Sequence, residues 1–83
     1  MGDTIYTLNS PVMGTFYRSA APGEASLVEV GQKVNAGDMI CVIESMKIFT
    51  ELRSEKKGIV QKILVENEEP VMKNQALIEI APE

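Results

Sequence analysis

The chain has no histidine, no tryptophan and only one cysteine in 83 residues. The missing histidine removes both the commonest general base and the commonest metal ligand. One cysteine builds neither a disulfide framework nor a zinc site. Cys41 lies inside an apolar, strand-like run, which predicts a buried inert thiol rather than a nucleophile. A lone thiol of this kind fits a reducing, cytosolic compartment. Long hydrophobic runs are missing too. Met39-Ile40-Cys41-Val42-Ile43 is too short to span a bilayer and no secretory signal opens the chain, so no membrane partner is expected. Basic residues are few: eight Lys and Arg against twelve Asp and Glu give a net charge of −4. That balance argues against a nucleic-acid partner, because phosphate binding needs clustered Lys and Arg. The adjacent pairs Lys56-Lys57 and Glu68-Glu69 read as solvated turns, not as a basic patch or a catalytic carboxylate pair.

What is present is strand signal. Residues 4–8, 15–18, 27–30, 39–43, 59–65 and 76–80 are short and rich in apolar or β-branched side chains. Turn residues separate them, as in Asn9-Ser10-Pro11, Pro22-Gly23, Asn35-Ala36-Gly37-Asp38, Asn67-Glu68-Glu69-Pro70 and Lys73-Asn74. Many short strands so punctuated predict an all-β sandwich or flattened barrel.

The chain also resembles itself. A shift of 44 residues lays Leu8 on Leu52, Ser10 on Ser54, Gly14 on Gly58, Phe16 on Val60 and Arg18 on Lys62. Further on, a shift of 37 lays Leu27 on Leu64, Val28 on Val65, Glu29 on Glu66, Val34 on Val71, Ile40 on Leu77 and Ile43 on Ile80. The first half therefore carries seven extra residues, at about Ser19 to Ala25. Two like halves of about four strands each predict an approximate two-fold axis. The joint at Glu44-Ser45-Met46-Lys47-Ile48-Phe49 is then the counterpart of the chain ends. A single amine, that of Lys47, should stand at one tip with both termini at the other.

Local rules alone do not find this joint. Ser45-Met46-Lys47-Ile48 lacks the Gly, Asn or Asp of a tight hairpin. On propensity, Val42 to Arg53 also reads as a helix with Ile43, Met46 and Phe49 at helical spacing. The repeat demands a reversal here and so predicts a hairpin made without its favoured residues. Such local conflicts tend to mark functional sites.

At these residues the chain resembles biotinyl domains, and among them those of the carrier subunits of bacterial-type and plastid acetyl-CoA carboxylase. The signature Glu-Ala-Met-Lys-Met stands here as Glu44-Ser45-Met46-Lys47-Ile48, with Ser45 for Ala and Ile48 for the second Met. The resemblance runs from about Ser10 to Ile80. It takes in Ser10-Pro11-Val12-Met13-Gly14-Thr15-Phe16-Tyr17-Arg18, Val30-Gly31-Gln32-Lys33-Val34 and Gly37-Asp38. It implies a biotinyl/lipoyl-type barrel-sandwich domain over residues 4–81, with Met1 to Asp3 as a leader or linker remnant and the chain as one part of a longer subunit. It also implies that the insertion is a thumb loop beside the prosthetic group, where Ser19 or nearby backbone groups would hydrogen-bond the ureido ring.

The resemblance assigns roles as well. Biotin would be joined by an amide to Lys47 by a biotin protein ligase, with Met46, Ile48 and Glu44 recognised by that enzyme. Ile48, similar to Met in bulk but stiffer, should be tolerated. Biotin carboxylase and carboxyltransferase would then be the working partners, malonyl-CoA for fatty-acid synthesis the product, and the cytoplasm or plastid stroma the location. The domain itself would be a non-catalytic carrier. The competing readings are a lipoyl-type carrier, whose Lys usually stands in Asp-Lys-Ala, an unmodified protein-interaction module, and, least supported, a small hydrolase.

Overall fold

The structure is a computed structural model and describes residues 4–21 and 23–82, so the proposed leader Met1 to Asp3 lies outside the described residues. Eight strands form: β1 (Tyr6–Asn9), β2 (Gly14–Tyr17), β3 (Lys33–Val34), β4 (Met39–Ser45), β5 (Ile48–Arg53), β6 (Gly58–Ile63), β7 (Pro70–Val71) and β8 (Ala76–Pro82). They make two antiparallel four-stranded sheets, ordered β1-β8-β6-β3 and β5-β4-β2-β7. Exchanging β1 with β5, β2 with β6, β3 with β7 and β4 with β8 turns one order into the other. This is the predicted two-fold.

The two-fold extends to single bonds. Ser10 and Ser54 are both buried, and each hydroxyl donates to the carbonyl two residues on, at Val12 and Lys56. Gly31 N–H donates to Val60 O at 2.7 Å and its counterpart Glu68 N–H to Phe16 O at 2.6 Å. Both donors have positive φ, 92° and 69°. Gly37 and its counterpart Asn74 repeat the arrangement against Ser54 O and Ser10 O. Glycine occupies the left-handed position in the first half, while a Glu and an Asn tolerate it in the second.

Strand alternation fills the space between the sheets. Phe16, Ile40, Cys41, Ile43, Val60, Leu77, Ile78 and Ile80 are all buried and belong to one core cluster. Neighbours such as Ile40 and Cys41 both turn inward because the β4–β5 register slips between Met39 and Cys41. Such a bulge puts two consecutive residues on one side. Burial pushes the Cys41 thiol up to about 12, as the apolar run predicts. The unfolded thiol ionises from about 8.5. Above that pH the unfolded chain holds fewer protons than the native one, so stability falls as pH rises toward 12. The urea midpoint should drop between pH 7.5 and 10, and by less in Cys41→Ala.

One predicted strand is corrected. Residues 27–30 form no strand; the edge strand is β3, at Lys33–Val34. Val28 is buried all the same. It plugs the core from a loop whose polar groups are met locally: Leu27 N–H donates to Arg18 O, the Arg18 guanidinium to Val28 O, and Glu29 N–H to Gln32 Oε1. The same holds one half later, where the strand stops at Ile63 and Val65 is buried beyond it. Apolar content there signals burial without extension. Pro70, expected in a turn, instead starts edge strand β7, a position where its missing N–H breaks no ladder.

Candidate functional site

β4 and β5 pair to their last residues, Glu44 with Phe49 and Ser45 with Ile48, leaving Met46 and Lys47 as a two-residue loop. Their φ values, 53° and 66°, are both positive. That is the backbone of a type I′ turn, whose twist matches the strands it joins. The segment is a hairpin, not a helix. A left-handed conformation costs about 1 kcal/mol or more per non-glycine residue, and pairing down β4–β5 holds the loop there. The chain keeps side chains where glycine would serve the backbone better. Met46 is 91% exposed and Ile48 68% exposed. Lys47 is exposed, and among the described residues no hydrogen bond or ion pair engages its amine.

Register fixes what surrounds the tip. Thr15 lies opposite Glu44 and Gly14 opposite Val71, so the loop before β2 and the loop after β7 meet the hairpin at its turn end. Tyr6 pairs with Ile80 and Gly58 with Pro82, so the chain enters β1 and leaves β8 at the opposite end. The molecule measures 41 × 25 × 20 Å, flattened and elongated as two short-stranded sheets require.

Ser19, Ala20 and Ala21 of the inserted loop lie beside Tyr17, Val42, Glu44 and Phe49 of the β5-β4-β2-β7 sheet. The loop's neck is tied at both ends. Arg18 O accepts from Leu27 N–H at 2.7 Å, Arg18 N–H donates to Asn67 Oδ1 at 2.8 Å, and the guanidinium donates to Val28 O at 3.1 Å and pairs with Glu29 at 2.9 Å. Arg18→Ala should cost about 1–2 kcal/mol of stability, because the Val28 carbonyl loses its partner. Amide exchange over residues 19–26 should quicken with it.

Between loop and sheet lies an open groove lined by Tyr17, Ser19, Ala20, Ala21, Val42, Glu44 and Phe49. Its apolar wall with a few polar groups has the character of a surface on which a small ring can rest. Tyr17 donates its hydroxyl to Glu44 Oε1 at 3.0 Å. That bond, then desolvation and the negative charges of Glu44 and Glu68, holds the phenol above its usual range. Val42 is buried yet stands apart from the core cluster, under the inserted loop.

Of the five residues singled out from sequence, Met46, Lys47 and Ile48 are gathered at the tip, and Glu44 and Ser19 line the groove beside it. Ser19 is buried and its hydroxyl donates to Ala21 O at 3.1 Å, so its oxygen offers only acceptor capacity to anything in the groove. Tyr17, Val42 and Phe49 were missed, although the repeat carried the signal. Their counterparts by the shifts of 44 and 37 are Gln61, Glu79 and Ile5. Two of the three differ in kind, and the half without the insertion has nothing to cover an apolar outer face. Glu69 serves its own turn, accepting from Glu66 N–H at 2.8 Å. Among the described residues no group of acidic or Cys side chains could hold a metal ion.

Comparison with known proteins bears on this site. The family model described as "Biotin-requiring enzyme" matches residues 6–80. The chain is 50% identical over 74 residues to the biotin carboxyl carrier protein of acetyl-CoA carboxylase from Nostoc, covering 89% of this chain and 41% of that one. It is 47% identical over 73 residues to the protein of the same description from Pseudomonas aeruginosa, covering 88% and 47%. A chloroplastic Arabidopsis thaliana relative is 47% identical over 75 residues, covering 90% and 29%. The chain thus spans less than half the length of these relatives. Among solved structures, Kluyveromyces lactis urea carboxylase superposes with a TM-score of 0.77 at 31% identity, over 98% of this chain and 6% of that one.

Proposed function

The chain belongs to the biotin-requiring enzyme family, and from that premise we propose that it is a non-catalytic carrier domain holding biotin as an amide on Lys47. The observation that carries the reading is the exposed, unengaged Lys47 amine on a left-handed two-residue turn, within Glu44-Ser45-Met46-Lys47-Ile48. A lysine ammonium is no nucleophile until it gives up its proton. Among the described residues no carboxylate or other base engages the Lys47 amine, so in this reading a biotin protein ligase supplies one. Amide formation balances simply. The Nζ–carbonyl bond forms, the carbonyl–phosphate bond of an acyl-adenylate breaks, AMP departs and the nitrogen loses its protons to the ligase and solvent.

Each part of the site has a task in this reading. The hairpin keeps the amine clear of the sheets and limits its wander. The groove beside it, with apolar Ala20, Ala21, Val42 and Phe49 and the polar Tyr17–Glu44 pair, gives a small ring a place to rest, with Ser19 contributing acceptor capacity. Biotin supplies a ureido nitrogen that takes a carboxyl group at one active site and yields it at another; the protein contributes attachment and position. Tethering raises local concentration at both sites. The partners proposed are biotin carboxylase and carboxyltransferase, with acetyl-CoA carboxylated to malonyl-CoA for fatty-acid synthesis. The cytoplasm or plastid stroma is the location this implies.

The test is transfer of label. The ligase-modified chain, given biotin carboxylase, ATP and labelled bicarbonate, should acquire acid-labile label, and the unmodified chain should acquire none. Equal labelling of both, or of neither, would contradict the carrier reading.

A further inference from the structure

The two-fold gives surface positions around Lys47 a counterpart at the opposite end of the molecule, and the two sets differ in character. Val12, Met13, Ile48 and Met72 are 36%, 60%, 68% and 63% exposed. By the shifts of 44 and 37, their counterparts are Lys56, Lys57, Thr4 and Asn35, all exposed. The backbone does not explain this. Both ends use the same serine turn bond, and both use a glycine, Gly14 or Gly58, whose missing Cβ clears a carbonyl on the neighbouring strand. The same local structure is therefore built once with apolar and once with polar side chains.

The apolar positions are neighbours. Continuing the Thr15–Glu44 register brings Met13 level with Met46, and continuing Gly14–Val71 brings Met72 level with Met13. Together with Ile48 they form a collar around the Lys47 turn. Contiguous exposed apolar surface of this kind marks an interaction site.

We infer that Val12, Met13 and Met72 extend the tip into a docking surface for one partner, the enzyme that acylates Lys47, an inference that rests on the carrier reading. Reach selects this occupant. To form a bond to Nζ, an enzyme must bring its reacting carbonyl to about 3–3.5 Å from that nitrogen. Nζ is only four methylenes from a two-residue loop, so the enzyme's surface closes over the residues around that loop. Enzymes that act later meet the far end of a longer arm and have no need of the collar. Val12, Met13, Ile48 and Met72 carry no charge, so the partner surface that meets these four side chains is apolar.

The variant Val12→Lys, Met13→Lys, Met72→Asn gives the collar the side chains that the same fold already carries at its other end. A circular-dichroism melt checks that it folds. With purified biotin protein ligase, biotin and ATP, its KM as acceptor should rise about tenfold with kcat nearly unchanged. A control at the far end, Lys57→Met with Asn35→Met, should leave KM alone. If wild type and collar variant are equally good acceptors, the docking inference fails and the carrier reading stands. If wild type takes no biotin, the carrier reading fails. The collar variant, driven to full modification with excess ligase, should then be carboxylated by biotin carboxylase at the wild-type rate. Slowed carboxylation would overturn the assignment of the collar to the acylating enzyme.

Discussion

Replacing Lys47 with arginine should abolish biotinylation completely while leaving the melting temperature unchanged. The guanidinium stays protonated and has no lone pair for acyl transfer, so no residual rate is expected. Arginine suits the same exposed turn position, where the lysine side chain makes no bond to any described residue. The remaining lysines provide a control within the molecule. Lys56 and Lys57 sit at the opposite end on an ordinary turn, flanked by charge instead of methionine, and should stay unmodified in both proteins. Streptavidin blotting with a melt on the same samples reads both outcomes. Surviving label in Lys47→Arg would place the acceptor elsewhere.

Gly14→Ala should be strongly destabilising although it adds only one methyl group. A Cβ at Gly14 would overlap the Glu44 carbonyl oxygen, with Ile43 Cγ2 at 3.0 Å. Both belong to β4, so β2 must move away from the strand that carries the turn. Overpacking against backbone costs about 2–3 kcal/mol, which in a domain this small lowers Tm by about 10 °C or more. Gly58→Ala meets the Ala81 carbonyl in the same way at the far end and should cost a similar amount. The pair separates stability from site geometry. Only Gly14→Ala shifts the strand end beside Ser45, so only it should also slow ligation at a temperature where both variants are folded. Equal ligation rates would show that the tip does not depend on β2.

The repeat explains why so much of this fold was legible. Leu8 with Leu52, Ser10 with Ser54 and Gly14 with Gly58 fix corresponding strands, and the joint at Met46-Lys47 follows as a reversal, against local propensity. Positive φ at both residues shows tertiary pairing overriding turn preference. Residues 27–30 misled because a buried valine looks the same in a strand and in a loop that plugs the core. Nothing in Val28 itself reports that Arg18, ten residues earlier, meets its carbonyl. The two-residue strands β3 and β7 are shorter than any periodic signal. The groove escaped for another reason. Tyr17, Val42 and Phe49 read as ordinary strand residues until each is set beside its counterpart in the half that lacks the insertion.

Site-resolved mass spectrometry of the chain after reaction with biotin, ATP and a biotin protein ligase should find one biotinoyl group per chain, located on Lys47. No addition, addition of a lipoyl group only, or biotin on any other lysine would overturn the proposal that this hairpin presents the acceptor amine.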